Sequence, residues 1–71
     1  MTRAKFKCTE VTQLEVGERI KLEPVTSGSK ENESFFKWTP YGQIMIGTIN
    51  PDIKFIPGSE YYVDFTEIEK A

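Results

Sequence analysis

The sequence predicts a small all-β domain: a five-stranded antiparallel SH3-like barrel or strongly bent sheet, with one short helical turn before the last strand. Three observations carry that prediction. Apolar and polar residues alternate with period two in several short runs, glycine and proline punctuate the intervals, and the stretch best suited to helix is about one turn long. Seventy-one residues make a single domain over 1–71, and a chain this short buries only about 60–65% of its unfolded surface.

The first run is Ala4 to Val11, in which Phe6 and Cys8 point inward and Lys5, Lys7 and Thr9 outward. This is a half-buried strand. Thr12 to Gly17 turns the chain into a second strand, Glu18 to Val25, with Ile20 and Leu22 inward and Arg19, Lys21 and Glu23 outward. Pro24 lacks a ladder donor, which puts the end of that strand at an edge or where pairing stops. Thr26 to Glu33 carries serine, glycine, asparagine and charge with no apolar anchor, and reads as a mobile loop.

Ser34 to Ile49 reads as the central hairpin. Thr39-Pro40-Tyr41-Gly42 suits a type I turn, with Pro40 fixing φ and Gly42 free to adopt the left-handed conformation of a bulge. The resulting register pairs Trp38 with Ile44, Lys37 with Met45, Phe36 with Ile46 and Phe35 with Gly47. Phe36, Trp38, Ile44 and Ile46 then line the core, while Phe35, Lys37, Met45 and Ile49 form a second face, too apolar for ordinary solvent exposure. Asn50-Pro51 reads as a helix cap followed by a first-turn proline, and Pro57-Gly58 ends that short turn after Ile53 and Phe55 or Ile56 have plugged the core. The last strand is Glu60 to Thr66, with Tyr61, Val63 and Phe65 inward and Tyr62 and Asp64 outward; Glu67 to Ala71 is a frayed tail. If the first and last strands pair, Lys5 or Lys7 stands across from Asp64. An OB-type barrel would place a longer helix between its third and fourth strands, where this chain has only a tight turn.

Nine basic and eleven acidic residues give a net charge of −2. Proteins that hold nucleic acid polymers through many phosphates concentrate positive charge, so polymeric nucleic acid is a less favoured partner. The lone Cys8 excludes an internal disulfide and fits a reducing cytoplasm, and no apolar run is long enough for a signal peptide or membrane span. Catalysis finds few tools. There is no histidine, Cys8 sits in a core-facing register, and Glu15, Glu18 and Glu23 show no spacing typical of a metal site or carboxylate pair. The glycines are dispersed as turn residues and form no phosphate loop. The expectation is a binding protein without catalytic residues, metal or cofactor. Small folds gain support from disulfides, metals or self-association, and elimination leaves a homo-oligomer.

Aromatic and polar residues offer a recognition surface. Phe35, Trp38, Tyr41, Tyr61 and Tyr62 interleave with Lys30, Asn32 and Lys37, and a nucleobase needs a flat apolar face while its phosphate needs a cation or amide. Ser27, Gly28, Ser29, Lys30 and Asn32 of the loop would supply donors to an anion, unless that loop is a plain solvated connector. Alternation also fits Phe36, Trp38 and Tyr61 as ordinary core. Phe35, Lys37, Tyr41 and Tyr62 take outward or turn positions, where a subunit interface and a ligand pocket both account for them.

At ENESFFKWTPYG followed by NPDIKFIPGSEYYVDF, and at the opening AKFK, the chain resembles a family of very short proteins encoded by tailed bacteriophages. The resemblance spans nearly the whole chain and implies residence in the cytoplasm of an infected bacterial host. Some small phage proteins of similar build are oligomeric sponges that sequester cyclic nucleotide signals of bacterial immune systems such as CBASS. By that resemblance the ligand is a cyclic di- or trinucleotide, contacted by Phe35, Lys37, Trp38, Thr39 and Tyr41, with Lys30 and Asn32 reaching from the loop. Two alternatives stand beside it: a single-stranded DNA accessory protein of phage replication or recombination, and a module that blocks a host factor through Phe35, Met45 and Ile49.

Overall fold

The computed structural model describes residues 2–69, and its regular elements run in the order β1 (Thr2–Gln13), β2 (Glu18–Pro24), α1 (Lys30–Phe36), β3 (Ile44–Thr48) and β4 (Glu60–Phe65). The fold is mostly β. Its strands are antiparallel and form one curled half-barrel sheet in the order β3-β2-β1-β4.

The period-two pattern of the first two strands places the core. Ala4, Phe6 and Cys8 of β1 and Ile20 and Leu22 of β2 are buried, as alternation requires. Beyond Cys8 the inward residue is Val11, three positions on, because a bulge between Cys8 and Glu10 adds one residue to β1 and flips the parity of the rest of the strand. Leu14 to Gly17 close the hairpin, with the Leu14 N–H donating to the Gly17 carbonyl at 3.0 Å. β1 also pairs with β4, from Thr2 opposite Phe65 to Lys7 opposite Glu60, so the first and last strands do meet.

Residues of β2 present their peptide groups alternately to β1 and β3. Val25 donates to the Lys5 carbonyl at 3.0 Å, so Leu22 and Pro24 face β3. Pro24, which has no N–H, lies one step past the last β2–β3 pair, Leu22 with Ile44, as its missing donor demands.

The central hairpin is replaced. Of its expected first strand, Ser34 to Phe36 are the end of helix α1, which begins at Lys30 inside the stretch expected to be a mobile loop, and residues 37–43 are an irregular connection; the fold therefore has four strands among the described residues, where five were expected. The helix is specified from its start. Ser29 is the N-cap, its Oγ accepting from the Asn32 N–H at 3.2 Å, and Glu31 and Glu33 place negative charge in the first turn. Seven residues make no stable helix alone; this one is held by Phe36 packed on the core and by Asn32, only 2% exposed, bonded to Lys5 of β1 and to Val25 just past β2. It stops at Lys37, the residue with φ 69°, two residues before Thr39, which Pro40 biases toward extended backbone.

The β3–β4 connection carries no helix. Asn50 caps a bend at Pro51, its Oδ1 accepting from the Asp52 N–H at 2.9 Å and its carbonyl from the Ile53 N–H at 3.2 Å. Phe55 plugs the core and packs at a tilt against Tyr61, 4.9 Å between centroids, while the Ile56 N–H donates to the Tyr61 hydroxyl. A turn at Pro57-Gly58, with Gly58 at φ 93°, brings Ser59 back to β1, where the Cys8 N–H donates to the Ser59 carbonyl at 2.9 Å. Glu67 to Glu69 have no regular structure; Lys70 and Ala71 of the expected tail lie outside the described residues.

The sheet has two open edges, β3 and β4, which are not neighbours, so no barrel closes among the described residues. The molecule is thin in one direction, 39 × 38 × 17 Å, and Ile44, Ile46, Tyr61 and Val63 stay half-buried against the core.

Candidate binding surface

The change from hairpin to helix redistributes the aromatic residues. Trp38, expected in the core opposite Ile44, is 80% exposed, and Tyr41 is 90% exposed. Both stand on the irregular segment between α1 and β3. Phe36, assigned to the core by strand alternation, does pack there, but from the helix. Phe35 joins a cluster with Phe36 at 4.8 Å and Phe65 at 5.8 Å between ring centroids; Phe65, expected inward, is half-exposed at the end of β4.

Trp38 and Pro40 form one wall of a cleft of about 80 Å³ whose other walls are Val25 to Ser29, Asn32 and Glu33. Gly28, at φ 76°, supplies the left-handed turn that carries this loop into the Ser29 cap. A broader groove continues the cleft through the shared Thr26 and Pro40, and is lined by Glu23, Pro24, Tyr41, Gly42 and Gln43. Trp38 and Tyr41 therefore lie along one continuous depression. Phe35 does not. It borders a separate hollow with Thr2, Arg3, Glu31 and Ser34. Lys30, Lys37 and Thr39 are exposed, Lys30 at the start of the helix and the other two just past its end.

Asn32 takes a role that its polarity concealed. Its side-chain oxygen accepts from the Lys5 N–H at 2.6 Å, and its amide nitrogen donates to the Lys5 carbonyl at 2.7 Å and the Val25 carbonyl at 2.8 Å. Both amide hydrogens are taken up by the main chain, so Asn32 anchors the fold beneath the cleft and has no donor to offer a ligand. Ser29 is likewise buried and fully engaged, its Oγ donating to Glu31 Oε1 at 3.0 Å while capping the helix. The loop donors that remain are Thr26, Ser27 and Gly28.

Charge in the depression is acidic. Glu33 lines the cleft and Glu23 the groove, while Lys30 and Lys37 belong to the flanking ends of α1. The Glu31 carboxyl, bonded to its own main chain and to Ser29, is held below the usual carboxylate range. A cleft with an aromatic plate, hydroxyls, main-chain groups and one carboxylate suits the donor edge of a nucleobase or a peptide group better than it suits a phosphate.

On the opposite face of the sheet a second group comes together, one pair out of the register that alternation suggests. Asp64 stands across from Arg3, not from Lys5 or Lys7. Arg3 Nε donates to Asp64 Oδ1 at 2.6 Å, and its guanidinium lies 4.7 Å from the Tyr62 ring centroid. Lys5 Nζ, 5.6 Å from the same centroid, approaches Glu60 at 3.8 Å.

Cys8 is buried, with its Sγ directed at the Glu10 carbonyl. Among the described residues no three His, Cys, Asp or Glu side chains group as a metal site would need, and no helix is long and apolar enough to cross a membrane. No family model matches the chain, and neither a curated protein nor a solved structure matches it.

Proposed function

We propose that the chain is a binding protein without catalytic residues, and that it takes a nucleobase of a cyclic di- or trinucleotide between Trp38 and the loop Thr26–Gly28. The observation that carries this reading is the position of Trp38: an indole 80% exposed, left without core packing, forming the wall of a cleft whose other walls bear hydrogen-bonding groups. Leaving a tryptophan in water forgoes about 1.5–3 kcal/mol of burial, which a stacked base recovers. Glu33 would accept from a ring N–H or exocyclic amine, favouring guanine, and Tyr41 would meet the next base along the groove. Phosphates would lie outward, within reach of Lys30 and Lys37. Together with the resemblance read from the sequence, this supports the reading of the chain as a sponge for cyclic nucleotide signals in an infected bacterium. Asn32 contributes by holding the cleft floor, and Phe35 stands outside the site.

Trp38 is the chain's single tryptophan, so its emission reports the cleft directly. Titration with guanine-containing cyclic di- and trinucleotides should quench it with micromolar midpoints, and Trp38→Ala should abolish the heat of binding seen by calorimetry. Absence of quenching and heat across the panel would sink the reading. One observation favours a second reading, a module that blocks a host protein. Tyr41, 90% exposed beside Trp38, gives the depression the two-aromatic character of a protein hot spot. In that case Trp38→Ala and Tyr41→Ala each remove one dominant protein from a host-lysate pull-down, and the nucleotide panel is silent.

A further inference from the structure

The two open edges of the sheet differ in kind. β4 carries Glu60 and Asp64, both engaged by cations of β1, and a strand seeking to pair there would meet charge near both ends. Such charge is how proteins discourage edge pairing. β3, Ile-Met-Ile-Gly-Thr, has no charge, no proline and no bulge in its pairing with β2. Residues of β2 that face β3 are Leu22, Ile20 and Glu18, whose partners Ile44, Ile46 and Thr48 therefore spend their peptide groups on β2. The N–H and C=O groups of Met45 and Gly47 point the other way, to the open edge.

We infer that β3 pairs with β3 of a second copy of this chain, antiparallel about a two-fold axis at Ile46, joining two four-stranded sheets into one of eight strands. The register is self-consistent. Met45 falls opposite Gly47 of the second copy, and these are the residues whose peptide groups face outward, so the seam forms four main-chain hydrogen bonds. Side chains fit as well. Met45 is 50% exposed and the space where Gly47 would carry a Cβ holds no atom within 4 Å, so each methionine finds room over the opposing glycine. On the core face Ile46 meets Ile46 of the second copy, covering residues that a molecule only 17 Å thick leaves half-buried. This inference stands independently of any ligand at Trp38.

The test is native mass spectrometry of the full chain at micromolar concentration. The wild type should run at twice the 8.2 kDa chain mass. Met45→Glu combined with Gly47→Glu sets carboxylates against each other across the seam, while Lys21 and Arg19, their partners on β2, receive them within each chain. That variant should halve the mass and keep the wild-type circular dichroism. Should it fail to fold, Ile46→Cys decides: the axial pair lies about 4.5 Å apart between Cα atoms, within disulfide reach, so mild oxidation should link it into dimers that reducing agent separates. Tyr62→Cys on the β4 edge should stay single. A wild type that remains at 8.2 kDa, a folded double-glutamate variant that remains dimeric, or cross-linking no greater for I46C than for Y62C overturns the proposal.

Discussion

The side-chain amide of Asn32 pairs twice with the main chain of Lys5, accepting from its N–H at 2.6 Å and donating to its carbonyl at 2.7 Å, as a strand residue would. It does so at the opening end of the β1–β2 ladder. Val25 still donates to Lys5, but the return bond from the Lys5 N–H to the Val25 carbonyl is replaced by the amide, which bonds to both. One ladder bond becomes two, and the helix is fastened to the sheet at that point.

Asn32→Ala should cost about 2–3 kcal/mol, since it strands a buried donor and acceptor that only partial closure of the ladder can reunite. In a domain this small the melting temperature would fall by about 10–20 °C. Asn32→Asp should be worse at neutral pH, because both donors are lost and a carboxylate faces two carbonyls. That carboxyl would have a folded pKa above its unfolded one, so stability lost as pH rises is regained on acidification. Thermal melts of both variants between pH 4 and pH 8 check the order and the sign; alanine proving the more harmful at pH 8 would contradict the role.

Asn32 also marks the limit of what is legible in the sequence. Alternation identifies β1, β2 and β4 and the inward set Phe6, Cys8, Ile20, Leu22, Tyr61 and Val63, because burying one face of a sheet imposes period two on the residues themselves. Between Thr26 and Trp38 that signal fails. The helix there is anchored by an asparagine that scores as solvent-exposed, and Phe35-Phe36-Lys37-Trp38 carries β-forming residues whose preference tertiary packing overrides. Local signals for a helix are present: Ser29 with Glu31 and Glu33 behind it is a helix start. Of the proposed contacts, Trp38 and Tyr41 share one depression although the turn that suggested them is absent. Phe35 and Asn32 left the site for the same reason: the helix turned them elsewhere.

The β1–β2 hairpin tolerates no side chain at Gly17. Its φ is +87°, and a Cβ there would overlap the Thr48 carbonyl oxygen and lie 3.0 Å from the Ile49 Cα, both main chain. Gly17→Ala combines left-handed strain with a clash against a backbone that cannot rotate away, and should cost about 2–4 kcal/mol. Gly28→Ala is the control. It has φ +76° but open space around the site, so strain alone should cost about 1 kcal/mol. Urea denaturation of the two variants would show whether the difference is real; equal midpoints would mean that β3 moves freely against the hairpin.

Arg3 and Asp64 tie the ends of β1 and β4 together. The Asp64 carboxyl, accepting from the Arg3 guanidinium and lying in its field, is held below the ordinary aspartate value. A depressed folded pKa contributes stability above the unfolded value, near pH 4, and loses it as pH falls through the folded value. Arg3→Ala should therefore raise the Asp64 pKa, read from its carboxyl carbon by NMR, and the stability gap between wild type and variant should be present at pH 7 and vanish at pH 2. The pair is exposed, so added salt should narrow the gap at pH 7.

Lys37 sets the direction in which Trp38 leaves the helix. With φ 69° and ψ −41° it occupies a conformation costly for a residue with a Cβ, and its N–H still donates to the Glu33 carbonyl at 3.0 Å, closing the last helical turn. Strain of this kind costs about 1–3 kcal/mol and is retained where the surroundings fix it. Lys37→Gly removes the strain but gives the unfolded chain more freedom, leaving a net gain of about 1 kcal/mol. The same change loosens the hinge between α1 and the Trp38 wall. Stability and binding should therefore move in opposite directions: a melting temperature about 4–8 °C higher, together with several-fold weaker quenching of Trp38 by the cyclic nucleotides. Lys37→Ala keeps the strain and removes the charge. If it weakens binding as much as Lys37→Gly does, the ammonium group matters and the backbone does not; if only glycine weakens it, the rigid exit from the helix is what holds the indole over the cleft.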